Sequence, residues 1–239
     1  MPEPSPLLPW KLATLLVLIL ALVTDWRLAW DPFAPDLDPT AYVLAGLPER
    51  APDRYGVLFV GNSRLGFAMQ HKENYADVLD AAGIPDAQHG MVWGPHLRFS
   101  DLRTYLTPIA RFGADLLVVQ ADLFVPMGPG AEAEGYLHAL RSFEPTGREL
   151  IEGLEFVQLL EPERIVIVDL PYPDHVVSQL GVAWQADRAA ALEALEARGF
   201  EVVAADAPWP DDRFNDEIHY GPGGEIALRR WLGAHLAEP

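Results

Sequence analysis

The segment Arg164-Ile165-Val166-Ile167-Val168 is apolar at every position after the first, so neither face of a strand built from it can meet water. Related runs recur at 55–61, 115–119 and 200–204, with a short, more polar one at 86–91. Between them lie stretches with helical periodicity, around 73–82, 99–112 and 147–160. Ala183 to Arg198 reads as a strong helix stopped by Gly199, and Pro222 to Leu236 as the last one. Doubly buried strands alternating with helices predict an α/β chain: a flavodoxin-like three-layer sandwich around a parallel, mostly five-stranded sheet. Ligands of such sheets bind beyond the carboxyl ends of the strands.

At 239 residues the chain has room for one such domain plus an extra segment, and a 50% hydrophobic content excludes wholesale disorder. The formal net charge of −18 argues against nucleic-acid partners, which need basic patches, and against docking on anionic lipid. With no cysteine there is no disulfide, zinc-thiolate site or cysteine nucleophile.

The first 30 residues have a different character. Leu12 to Val23 is apolar apart from Thr14, with Trp10 and Trp26 at its ends. The run is shorter than the roughly 20 residues a bilayer span prefers, so a cleaved signal peptide is a rival. Small residues suited to cleavage are lacking, and an uncleaved signal anchor over 1–30 is the favoured reading, a buried helix the third. It would place the remainder outside the cytoplasm, in the periplasm or beyond. Residues 31–53, punctuated by Pro32, Pro35, Pro39, Pro48 and Pro52, form a linker, either a stalk or a wrap on the domain, with a short helix over 39–46. The α/β domain then spans 54–239.

Two motifs carry chemistry. The first strand, Val57-Leu58-Phe59-Val60, runs through Gly61-Asn62 into Ser63, and Asp216-Glu217-Ile218-His219 stands just ahead of the last helix. Taken singly, Ser63 reads as a helix cap, His219 as a surface histidine and Asp216 as a turn former. Taken together they hold a nucleophile, its base and the carboxylate that orients the base.

These residues resemble the SGNH/GDSL hydrolase superfamily over roughly 55–237. Gly61-Asn62-Ser63 is similar to its Gly-Asp-Ser element, with Asn62 for the acidic residue. Asp216-x-x-His219 followed by Tyr220-Gly221-Pro222-Gly223-Gly224 is similar to its closing element. The resemblance implies Ser63 as nucleophile, His219 as base and Asp216 as orienter. It also implies an oxyanion hole from the Ser63 amide, a glycine amide after the second strand and an asparagine side chain after the third. Gly90 and Gly94 are both available for the glycine, and Gly94 is preferred. Ala121 falls where the asparagine belongs, and Gln120 is the substitute donor one position away, although its side chain then points across the strand. Losing one such donor costs roughly a hundredfold to a thousandfold.

The function expected from the resemblance is a serine ester hydrolase or O-acyl(acetyl)transferase, acting on a small-molecule or glycan ester, with an acetylated envelope or exported glycan as the substrate the resemblance suggests, and needing no cofactor. The alternatives are a catalytically silent SGNH-like domain that binds glycan or an assembly partner, and a flavodoxin-type nucleotide binder, which leaves Ser63 and His219 unexplained. Arg64 could meet an anionic substrate or make a structural ion pair. Asp174 and His175 are expected as pocket wall. His89 and His96 lack a third ligand at a fitting spacing, so no metal is expected. Residues 123–146 are expected to insert over the carboxyl edge, as lid or loop.

Overall fold

A computed structural model describes residues 47, 50–69, 72–95, 97–103, 106–124 and 147–237. The signal-anchor segment, most of the linker, the insertion beyond Phe124 and His96 lie outside the described residues. Among the described residues no helix is long and apolar enough to cross a membrane.

Five strands, β1 (Gly56–Gly61), β2 (Gln88–Trp93), β3 (Leu116–Gln120), β4 (Arg164–Asp169) and β5 (Glu201–Ala204), form one sheet in the order β2-β1-β3-β4-β5. Every pairing is parallel. Among the described residues the α-helices are α1 (Ser63–Met69), α2 (Lys72–Ala81), α3 (Phe99–Leu102), α4 (Leu106–Phe112), α5 (Gly147–Leu160), α6 (Asp174–Glu196) and α7 (Pro222–Leu236).

Alternation along the strands sorts the core into two layers. Leu58, Val60, Leu117, Val119 and Ile167 point to one face, under α3, α4, α5 and Leu195 of α6. Val57, Phe59, Leu116, Val118, Val166 and Val168 point to the other, under α1, α2 and α7. Burying one such side chain stabilises the fold by about 1.5–3 kcal/mol, so the central strands hold the sandwich together.

The expected α/β sandwich is found, with differences at element ends. β2 lies two residues later than expected, because Gln88 and His89 pair with Gly56 and Val57 despite their polarity. The single helix expected over 99–112 is split into α3 and α4. α1 was not foreseen: seven residues opening on Ser-Arg and holding Gly66 give little amphipathic signal. α6 begins well before Ala183 and kinks at Gly181, whose φ of 80° is one that glycine adopts at no steric cost. From the linker, Leu47 packs on the first core layer and Arg50 pairs with Asp115 at 2.6 Å.

Reversal of strand order between β1 and β3 makes their carboxyl ends the switch point of the sheet, where crossovers diverge and leave a crevice. Ser63 follows one of these strands and Asp122 the other.

Candidate active site

Asn62, not Ser63, caps α1. Its Oδ1 accepts the Arg64 amide at 3.0 Å and its carbonyl accepts the Gly66 amide at 2.9 Å. That leaves the Ser63 hydroxyl free of the helix, and it lies 3.0 Å from His219 Nε2. His219 Nδ1 is 2.8 Å from Asp216 Oδ2. The other Asp216 oxygen accepts the backbone N–H groups of Ile218 and His219, both at 2.8 Å, so the carboxylate is fixed from two sides. Burial pushes the Asp216 carboxyl up, but these amide donors and the imidazole outweigh it and hold it below the usual range.

The imidazole is also held by packing. Phe67, one turn along α1 from Ser63, meets the His219 ring edge-on at 5.1 Å between centroids, and Trp93 meets Phe67 at 5.3 Å. Trp93 lies so close over α1 that a Cβ at position 66 would run into its indole, which accounts for Gly66. Gly94 follows Trp93 directly, and the Gly61–Trp93 register places it alongside the Ser63 turn. The Ser63 amide opens α1, among the first-turn N–H groups that no helical carbonyl can satisfy.

Gln120 takes a different role from the one expected. Its Oε1 accepts the Asn62 amide at 2.9 Å, and its Nε2 donates to Asn62 Oδ1 at 2.9 Å and to Asp122 Oδ2 at 2.5 Å. Both amide protons are engaged and the side chain is fully buried, so Gln120 braces the serine turn instead of donating to an oxyanion. Gly61 permits this: a Cβ there would stand 2.7 Å from Gln120 Oε1. Ala121 opens a short 3₁₀ turn and carries no polar group.

Arg64 turns inward. Its guanidinium is 0% exposed and pairs with Asp122 at 2.8 Å, with the Asp122 side chain 2% exposed. It also donates to the carbonyls of Leu170 and Pro171 at 3.0 and 2.7 Å, and lies 3.7 Å over the Tyr172 ring. Asp122 further accepts Arg188 at 2.7 Å and the Tyr172 hydroxyl at 3.0 Å, and Arg188 pairs with Asp169 as well. Burial opposes ionisation of Asp122, yet the two guanidiniums hold its carboxyl far below the usual range. The same burial pushes the Tyr172 and Tyr220 phenols well up. None of this cluster except Arg64 was foreseen, since its members are scattered over 64–188 and meet only through the fold.

His175 hydrogen-bonds Asp211 at 2.8 Å through Nδ1, and His89 stacks on Tyr75 at 4.3 Å. Among the described residues no cluster of His, Asp or Glu could hold a metal ion.

No family model and no curated protein matches this sequence. Solved structures do. A protein assigned to the lipolytic G-D-S-L family, from Desulfitobacterium hafniense, superposes with a TM-score of 0.51 over 77% of this chain and 99% of its own, at 12% identity. The chain has the SGNH hydrolase fold. Axe2, an acetylxylan esterase from Geobacillus stearothermophilus, gives a TM-score of 0.51 over 77% and 95% of the two chains, at 13% identity. A further lipolytic G-D-S-L member, from Veillonella parvula, gives 0.50 over 76% and 97%, at 8% identity. In this SGNH frame the Ser63 turn and the Asp216-x-x-His219 loop meet at the carboxyl edge of the sheet.

Proposed function

We propose that the protein is a serine ester hydrolase or O-acyl(acetyl)transferase. The observation that carries this reading is the unbroken chain Ser63 Oγ–His219 Nε2, His219 Nδ1–Asp216. Ser63 Oγ attacks the ester carbonyl while His219 Nε2 takes its proton, and Asp216 stabilises the imidazolium that forms. The amides of Ser63 and Gly94 stabilise the developing oxyanion. Collapse breaks the acyl C–O bond, His219 returns the proton to the leaving alcohol, and the acyl group stays on Ser63. Water then completes hydrolysis, or a hydroxyl acceptor completes transfer, with His219 deprotonating either one. No metal or cofactor enters any step.

A fluorophosphonate probe with intact-mass detection tests the reading. Stoichiometric labelling of the full chain, abolished in Ser63→Ala and His219→Ala, supports it; an unlabelled, folded protein removes it. The second reading, a silent domain binding glycan or an assembly partner, is favoured by Ala121 and by the engaged amide of Gln120. Membrane tethering outside the cytoplasm stays part of the proposal through Leu12–Val23. A carboxyl-terminal reporter fusion found in the cytoplasm would remove that part.

A further inference from the structure

Beyond the Ser63 turn, a cavity of about 420 Å³ opens at the carboxyl ends of β4 and β5, under the second half of α6. Its size falls in the range of small-molecule sites, roughly 300–1,000 Å³. One end is Arg188, whose Nε and Nη2 are taken by Asp169 and Asp122. Its Nη1 makes no hydrogen bond to any described residue, although the residue is only 6% exposed and lines the cavity. Two N–H donors on a buried guanidinium are therefore left for a ligand oxygen. The walls are Tyr172 and the half-buried Trp184, and Asp206 and Gln185 stand at the exposed rim.

Charge decides what class of oxygen fits. Arg64 and Arg188 are already balanced by Asp122 and Asp169, Asp206 adds a negative charge, and the chain carries −18 overall. An anion entering here meets no uncompensated positive charge. A neutral acceptor oxygen on a ring that can lie against an indole, with further hydroxyls for the rim carboxylate and amide, satisfies every group present.

We infer that this cavity is a subsite for one ring of a neutral polyhydroxylated ligand, a saccharide. The binding claim stands whether or not Ser63 is a nucleophile. Only its use as the remote subsite of an ester substrate rests on the function proposed above. Pro171–Tyr172 connects the two places: Pro171 lines the cavity, and its carbonyl accepts both Arg64 and the Tyr220 hydroxyl beside His219. Two and a half strand spacings of about 4.8 Å separate the carboxyl end of β1 from the cavity, about 12 Å, so a ligand of more than one ring is needed to touch both.

The test uses full-length Ser63→Ala protein, so that chemistry plays no part, with neutral mono- and disaccharides followed by the Trp184 indole N–H and the Arg188 side-chain resonances. Saturable shifts at about millimolar affinity, weakened about tenfold or more in Trp184→Ala and in the rim variant Asp206→Ala without loss of Tm, are the expected result. Shifts confined to other tryptophans, an absence of binding, or preference for carboxylates or phosphates over neutral sugars would overturn it. Failure here with intact serine labelling leaves the esterase reading standing, and sugar binding without labelling does the reverse.

Discussion

Ser63 and Arg64 are neighbours on α1, yet they belong to two different charge systems. Ser63 faces the half-exposed relay with His219 and Asp216, whose members stand at hydrogen-bond distance in a line. Arg64 faces the buried cluster with Asp122, Arg188 and Asp169. The relay is poised for a proton to move, whereas the cluster is charge-balanced and buried, and holds three loops in place. The comparison suggests that chemistry sits where a charge can change, and that the rigid system beneath it sets the distances.

The largest effect should separate the two. Ser63→Ala or His219→Ala is expected to lower esterase turnover by at least about a thousandfold. Tm should move by no more than about 2 °C, because neither residue is a buried charge partner. A large fall in Tm would mean that the relay is structural.

Asp122→Ala should do the opposite. Removing the shared carboxylate leaves the buried Arg64 guanidinium without its carboxylate, with Arg188 still held by Asp169, and costs about 3–5 kcal/mol, a drop in Tm of about 10 °C or more for a domain of this size. Pairing Asp122→Leu with Arg64→Met should recover part of the loss, since no unpaired Arg64 charge remains. Equal Tm values for the single and double variants would show that the ion pair is not what holds the turn.

Gln120→Leu sharpens the comparison, because the sequence and the structure assign that residue to different systems. As an oxyanion donor its loss would cost roughly a hundredfold to a thousandfold in rate. As a brace its loss leaves the buried Asn62 amide without its acceptor, at about 1–3 kcal/mol, while Asn62 Oδ1 keeps the Arg64 amide. A rate per folded molecule within about tenfold of the parent, with a lower Tm, is the expected outcome.

What the sequence disclosed follows the same division. The strands were legible because a doubly covered strand must be apolar throughout, as in Val166-Ile167-Val168. Asp216 and His219 were legible because the carboxylate and imidazole lie three residues apart in one loop, so local spacing alone sets their pairing. Ser63 was legible only as one member of that set, and its freedom from capping came from Asn62, a replacement that had carried no expectation of its own. Asp122 and Arg188 lie 66 positions apart and meet through strand order. Gln120 follows simple alternation, on the same side of the sheet as Val118 and Val168, and that direction carries its amide to Asn62 and Asp122 instead of to the place of the oxyanion donor.

Acid should break the two systems in sequence. The Asp216 carboxyl is depressed in the native state, so its contribution is complete above the unfolded value of about 3.9 and is lost as pH falls through the lower native one. Asp122 is depressed much further, so its ion pairs persist to stronger acid. On acidification, the Asp216 carboxyl carbon should titrate while the near-ultraviolet dichroism of the core aromatics is unchanged. The core signal should collapse only at lower pH. Asp216→Asn should abolish the first step and leave the second in place, and Asp122→Asn should bring the second step up towards the first. If both signals fall together in the parent protein, relay and cluster form one cooperative unit, and the buried guanidiniums cannot be setting distances for a site that titrates independently of them.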